Sequence, residues 1–153
     1  MSNFRSRQVD IYSIGNPLAQ WVSDGIKHYQ QQSKKWINIQ HTHLMKCHES
    51  PTHQWNKLQP KLNPRHAWIA LDVTGKQQDS VKFKHSIHKI LEQQSISFII
   101  GGAYGLAEAC IEKSTHVWSL SNLTFSHTLV PILLVEQTYR AMSMIHQHPY
   151  HKS

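Results

Sequence analysis

The stretch FIIGGAYGLAEA, residues 98–109, runs an apolar segment straight into Gly101 and Gly102, then Gly105, then a helical pattern. A short apolar run bounded by glycine reads as a strand covered on both faces, the kind found in parallel sheets. Glycines at the carboxyl end of such a strand either bring backbone N–H groups up to a ligand or simply make a tight strand-to-helix turn. The glycines alone leave both readings open. Two familiar glycine loops are excluded. A dinucleotide fingerprint wants G-x-G-x-x-G early in the chain with an acidic residue about 20 positions later, and residues 119–125 hold no acid. A P-loop wants GK[ST] after its glycines, and none follows.

Working outward, VDIYSIG (9–15) and KWINIQHTH (35–43) alternate apolar and polar residues as strands do, and AWIALDVTG (67–75) is a second buried-strand run. HVWSLS (116–121) reads as a short last strand. Helical spacing appears at 18–29, 80–94, 106–113 and 129–146, whereas 44–66, with Pro51, Pro60 and Pro64, reads as loop with at most a short helix. Strands and helices alternate throughout, so the fold class is α/β with a mainly parallel sheet flanked by helices, in one domain over 1–153. The helix at 129–146 is apolar nearly all round. Leu129, Ile132, Leu133 and Tyr139 lie towards one side, and Val130, Leu134, Ala141 and Ile145 towards another. Such a helix needs covering on more than one face, either by its own domain or by a second subunit.

The 153 residues carry a formal charge of +7, with 39% hydrophobic and 16% charged residues, which fits a globular protein and excludes a disordered tail. The positive charge suits a polyanionic partner such as nucleic acid. Cys47 and Cys110 form no CxxC pair, no signal peptide is evident, and no apolar run approaches the ~20 residues of a membrane helix. The expectation is a cytoplasmic protein with reduced thiols and no membrane partner.

Three strand ends, ALDVTG (70–75), IIGGAYG (99–105) and SLSNLTFSH (119–127), converge on one pocket if their strands are parallel neighbours. The third loop mixes hydroxyls and amides with Leu123 and Phe125, which suits an adenine or a thioether. With ALDVTGK (70–76), FIIGGAYGL (98–106), WSLSNLTFSHTLVPILLVEQTYRA (118–141) and the tail HPYHK (148–152), the chain resembles the RlmH family over essentially its whole length. These are the pseudouridine N3-methyltransferases of bacterial large-subunit (23S) ribosomal RNA, within the SPOUT superfamily. The resemblance implies a C-terminal trefoil knot, a homodimer, and S-adenosyl-L-methionine as methyl donor, acting on the assembled ribosome. By position it implies cofactor contacts from Leu71, Gly101, Gly102, Leu120, Ser121, Asn122, Leu123, Thr124 and Phe125. It also implies that the apolar helix makes much of the dimer interface. The chain departs from the family where many members read GGPEG and this one has Ala103 and Tyr104, at Ser126, and across 42–65. The rival reading is a catalytically silent knotted protein that binds RNA or assists ribosome assembly.

Methyl transfer to a ring nitrogen needs the nucleophile in line with the breaking S–C bond and a group that takes the nitrogen's proton. The candidates are Arg140, His127, Tyr150 and His151, with His148 beside them. Arg140 lies four residues after Glu136, the spacing of an ordinary helical ion pair. His127 equally suits a capping or core role. The cluster His41, His43, Cys47, His48 and His53 matches no regular zinc spacing, so no metal is expected. Lys34, Lys35, Lys57, Lys61 and Arg65 read as solvated cations available to phosphates.

Overall fold

The computed structural model describes residues 3–45 and 48–152. Five strands, β1 (Gln8–Ile14), β2 (Asn38–Leu44), β3 (Ala67–Gln77), β4 (Ile96–Ile100) and β5 (His116–Ser119), pair in parallel in the order β2-β1-β4-β3-β5. Five helices connect and cover them: α1 (Gln20–Ser33), α2 (Pro51–Leu58), α3 (Ser80–Leu91), α4 (Glu108–Lys113) and α5 (Val130–Ile145). The mainly parallel α/β architecture expected from the alternating pattern is therefore present. No helix among the described residues is long and apolar enough to cross a membrane.

The central strand β4 is buried at every position, Ser97 included, as its mainly apolar run requires. One face of the sheet packs Val9, Ile11, Ile69, Phe98 and Ile100 against Val22 and Ile26 of α1, Phe83 and Ile87 of α3, and Leu134 and Met142 of α5. On the other face, Tyr12, Ile14, Leu44 and Ile99 meet Trp55 and Leu58 of α2 and Cys110 of α4. Burial pushes the Cys110 thiol up to about 12, so it is an inert core group.

Helix α5 packs against both α1 and α3. Its own chain thus buries Leu134, Val135, Thr138, Tyr139, Ala141 and Met142, while Leu129, Leu133, Glu136, Arg140 and Met144 form a half-buried outward stripe. The 44–66 segment holds α2, capped by Ser50 and opened by Pro51, then a 3-10 turn over Gln59–Lys61. Proline here starts helical turns as well as interrupting them. At the far end of α1, Trp36 and Ile37 donate backbone N–H to the Ser33 carbonyl. This holds residues 35–37 in a turn and delays β2 to Asn38.

Strand β3 runs beyond residue 75 to Gln77. Trp118 of β5 pairs first with Leu71 and again with Lys76, so residues 72–75 arch out between two pairings with the same partner. A Cβ on Gly75 would lie 2.7 Å from the backbone of Trp118, closer than any side chain permits. Here the backbone of β3 packs hard against that of β5.

Candidate active site

The carboxyl ends of β3, β4 and β5 are neighbours in space and enclose a cavity of about 180 Å³. Its wall includes Leu71, Gly101, Gly102, Leu120, Ser121, Leu123, Thr124 and Phe125, every sequence-predicted cofactor residue except Asn122. His127 lies in the same wall. Asp72 and Val73 on the arch, Gly105 and Leu106 on the glycine turn, and Val130 at the start of α5 complete much of it. The first four follow directly from the loops already singled out, whereas Val130 is brought in only by the docking of α5.

The turn after β4 accounts for its own glycines. A Cβ on Gly101 would stand 2.7 Å from the Gly105 carbonyl carbon and 3.0 Å from the Leu106 nitrogen. Gly105 holds φ +78, which disfavours any side chain, and its N–H donates to the Gly102 carbonyl at 3.0 Å. The bare backbone is needed first by the turn itself, so substitution at Gly101 breaks local structure whether or not a ligand is bound. On the opposite wall, Ser121 Oγ accepts the Leu123 N–H at 3.0 Å, and Ser119 Oγ donates to the Ser121 carbonyl at 3.1 Å. Those bonds shape the loop while leaving Leu123 69% exposed beside the opening.

The cavity's electrostatic character is distinctive. Asp72 is the one acid in the wall, and no Lys or Arg lines it among the described residues. The Asp72 carboxylate is held by the Thr74 N–H at 3.0 Å and by the Thr74 hydroxyl. A phosphate would find no Lys or Arg here among the described residues, whereas a neutral base on an apolar wall and a cationic group near a carboxylate are both accommodated.

Arg140, Tyr150 and His151 are placed elsewhere, around the C-terminal half of α5. Glu136 Oε1 accepts from Arg140 Nη2 at 2.8 Å and Nε at 3.1 Å, and from the Tyr150 hydroxyl at 2.8 Å. The Arg140 guanidinium also lies over the Tyr150 ring, 5.1 Å from its centre. Burial, then hydrogen bonding to Tyr29 and Glu136, raises the Tyr150 pKa. The helical ion pair expected from the spacing is formed. Residues Pro149–Lys152 make a 3-10 turn against α5, and His151 Nδ1 is buried with no hydrogen-bond partner among the described residues. His148 packs edge-on to Trp36.

The histidine-rich segment does not gather as one group. His53 sits on the first turn of α2 beside Ser50, whereas His41 and His43 project from β2 to Ser13; Cys47 lies outside the described residues. Among the described residues, no three His, Cys, Asp or Glu side chains are arranged to hold a metal ion.

The family model described as "Predicted SPOUT methyltransferase" matches residues 8–151. The chain belongs to the SPOUT methyltransferase family. Within it the chain groups with the RlmH proteins. It is 31% identical to the ribosomal RNA large subunit methyltransferase H of Nitrosococcus oceani, over 94% of this chain and 97% of that one. It is 33% identical to the protein of the same name from Acholeplasma laidlawii, over 95% and 99%. Among solved structures, the fold matches a probable methyltransferase from Bordetella pertussis Tohama I with a TM-score of 0.56 at 12% identity, covering 90% of this chain and 98% of that one. It also matches a probable methylase family protein from Haemophilus influenzae Rd KW20, with a TM-score of 0.57 at 7% identity over 93% and 69%.

Proposed function

We propose that this SPOUT protein is an S-adenosylmethionine-dependent methyltransferase acting on N3 of a pseudouridine in large-subunit ribosomal RNA, on the assembled ribosome in the cytoplasm. The observation that carries the reading is the cavity at three parallel strand ends, mostly apolar and without Lys or Arg among the described residues, in a chain of this family.

The wall fits the donor in kind. Leu71, Ile100, Leu106 and Leu120 offer apolar surface for an adenine, the loop backbone offers hydrogen bonds, and Asp72 complements a positive charge. When bound, the donor supplies a methyl group on a sulfonium centre. The chain's own residues orient the acceptor base, exclude water, and take the proton that leaves N3 as the N–C bond forms. His127 is the predicted acid–base residue that stands in the wall, so it is assigned that proton. Arg140, Tyr150 and His151 lie with α5, and we assign them to RNA at the pocket of a second copy in a homodimer. The half-buried stripe of Leu129, Leu133 and Met144 supports pairing along α5. The arch at 72–75, pressed on Trp118, supports a trefoil-knotted C-terminal half.

The test is calorimetry with S-adenosylmethionine, followed by methyl transfer to ribosomes lacking the modification. Wild type should bind and transfer. Thr124→Trp, which places an indole in the cavity from an exposed loop position, should do neither while melting normally. RNA binding without donor binding or methyl transfer would favour the silent RNA-binding protein instead.

A further inference from the structure

Beside the cavity, a chain of hydrogen bonds crosses the carboxyl ends of β1 and β2. Ser13 is 1% exposed, and its Oγ lies 2.8 Å from His41 Nε2 and 2.7 Å from His43 Nδ1. The other nitrogen of His43, Nε2, lies 2.7 Å from the Asn16 carbonyl oxygen. A carbonyl only accepts, so Nε2 of His43 must carry a proton and donate it. With its ring in the neutral form, His43 presents a bare Nδ1, which takes the one proton the Ser13 hydroxyl can give. The Ser13 oxygen is left to accept from Nε2–H of His41. Burial pushes the His41 pKa down to about 4, which keeps this first donor neutral. Each assignment forces the next, and the chain runs one way: His41 to Ser13 to His43 to Asn16.

The chain ends at the turn on which His127 rests. Gly15 lies between Ser13 and Asn16, and its N–H is fixed to the Leu44 carbonyl at 3.0 Å. A Cβ on Gly15 would stand 3.2 Å from His127 Cδ2 and 3.8 Å from His43 Cε1. The ring in the cavity wall and the ring at the end of the chain thus converge on one bare backbone position. Neither Ser13, His41 nor His43 lines the cavity.

We propose that the His41–Ser13–His43 chain sets the turn at residues 15–16 as the seat of His127, making Ser13 and His43 positioning residues for proton removal at the cavity. The role rests on the methyl-transfer reading above; the hydrogen-bond chain itself does not. Without the chain the turn keeps its Gly15 N–H bond to Leu44 but loses the His43 side-chain bond to Asn16, and the surface that sets the direction of the His127 ring shifts. Misplacing a reacting group by about 1 Å can cost roughly a hundredfold in rate while leaving ligand binding intact.

The experiment has two arms. In the full chain at pH 7.5, nitrogen-detected ring spectra should show His41 and His43 both protonated at Nε2, and Ser13→Ala should shift the His127 ring resonances. Either ring found as the Nδ1–H form, or an unmoved His127, overturns the proposal. This arm needs no substrate, so it stands even if wild type transfers no methyl group. In the second arm, single-turnover methyl transfer is compared for Ser13→Ala, His43→Leu and His43→Gln. A glutamine amide can accept from Ser13 and donate to Asn16, as the neutral ring does. Ser13→Ala and His43→Leu should slow transfer roughly tenfold to a hundredfold with the S-adenosylmethionine Kd within about twofold, and His43→Gln should recover most of the rate. A normal rate in Ser13→Ala, or His43→Gln as slow as His43→Leu, overturns the proposal. Ser13→Ala removes a single oxygen and keeps the comparison readable if His43→Leu unfolds.

Discussion

The two ends of helix α5 are built on opposite plans. At its start, His127 and Val130 face a cavity whose rim leaves Val73 78% and Leu123 69% exposed. Towards its last turns, Glu136 spends Oε1 on Arg140 and Tyr150 and Oε2 on the Gln137 amide. There Tyr139, Tyr150, Trp36 and His146 stack into a continuous aromatic group. One end keeps an open wall for something else to complete, and the other satisfies Glu136, Arg140 and Tyr150 within the chain. A ligand gains most where desolvated surface is already shaped and few internal bonds must break. The cavity end therefore carries the small-molecule site, and the saturated end should tolerate a bound ligand without changing.

Four measurements would break or sharpen that contrast. The largest effect is expected from Gly75→Ala, because the new Cβ would meet Trp118 backbone at 2.7 Å and neither strand can yield. Urea unfolding should show a loss of about 3 kcal/mol or more, with donor binding abolished as the arch moves. Glu136→Gln strips the carboxylate from a largely buried Arg140 and should cost about 2 kcal/mol. Calorimetry on the same variant should give an unchanged donor Kd; a weakened Kd would mean that the two ends are coupled. Tyr150→Phe removes one donor to Glu136 and should cost about 1 kcal/mol by the same unfolding assay.

The smallest effect concerns pH. His41 has its pKa lowered in the fold from 6.5 to about 4, so below 6.5 the unfolded chain takes up a proton that the folded chain refuses. Its contribution is intact above pH 6.5 and is lost as pH falls towards 4. Between pH 7 and pH 6 wild type should lose roughly 0.7 kcal/mol from this group. His41→Gln should flatten that part of the unfolding free-energy profile, and an equal slope in both proteins would show that His41 is not held neutral.

Much of the cavity end was legible because its cues are local. The apolar run before Gly101 marks a buried strand, and the hydroxyl-rich loop at 120–125 marks a strand end, so three sequence segments sufficed to place most of the wall. The glycine reading was less complete. Gly101 is bare because Gly105 and Leu106 fold back on it, a contact four residues away that composition does not reveal. The histidine-rich segment was harder still. Its spacing said only that zinc was unsuited, whereas the partner of His41 and His43 is Ser13, 28 and 30 residues earlier and adjacent only through β1–β2 pairing.

By itself, the sequence determined the alternation of strands and helices, the burial of β4 on both faces, and the family, since periodicity and turn chemistry act over a few residues. The tertiary structure decided which strand ends meet, that residues 72–75 arch over Trp118, and that His127 sits on the Gly15 turn. Those are contacts between distant segments, selected by how whole elements pack. No local preference of the chain encodes them.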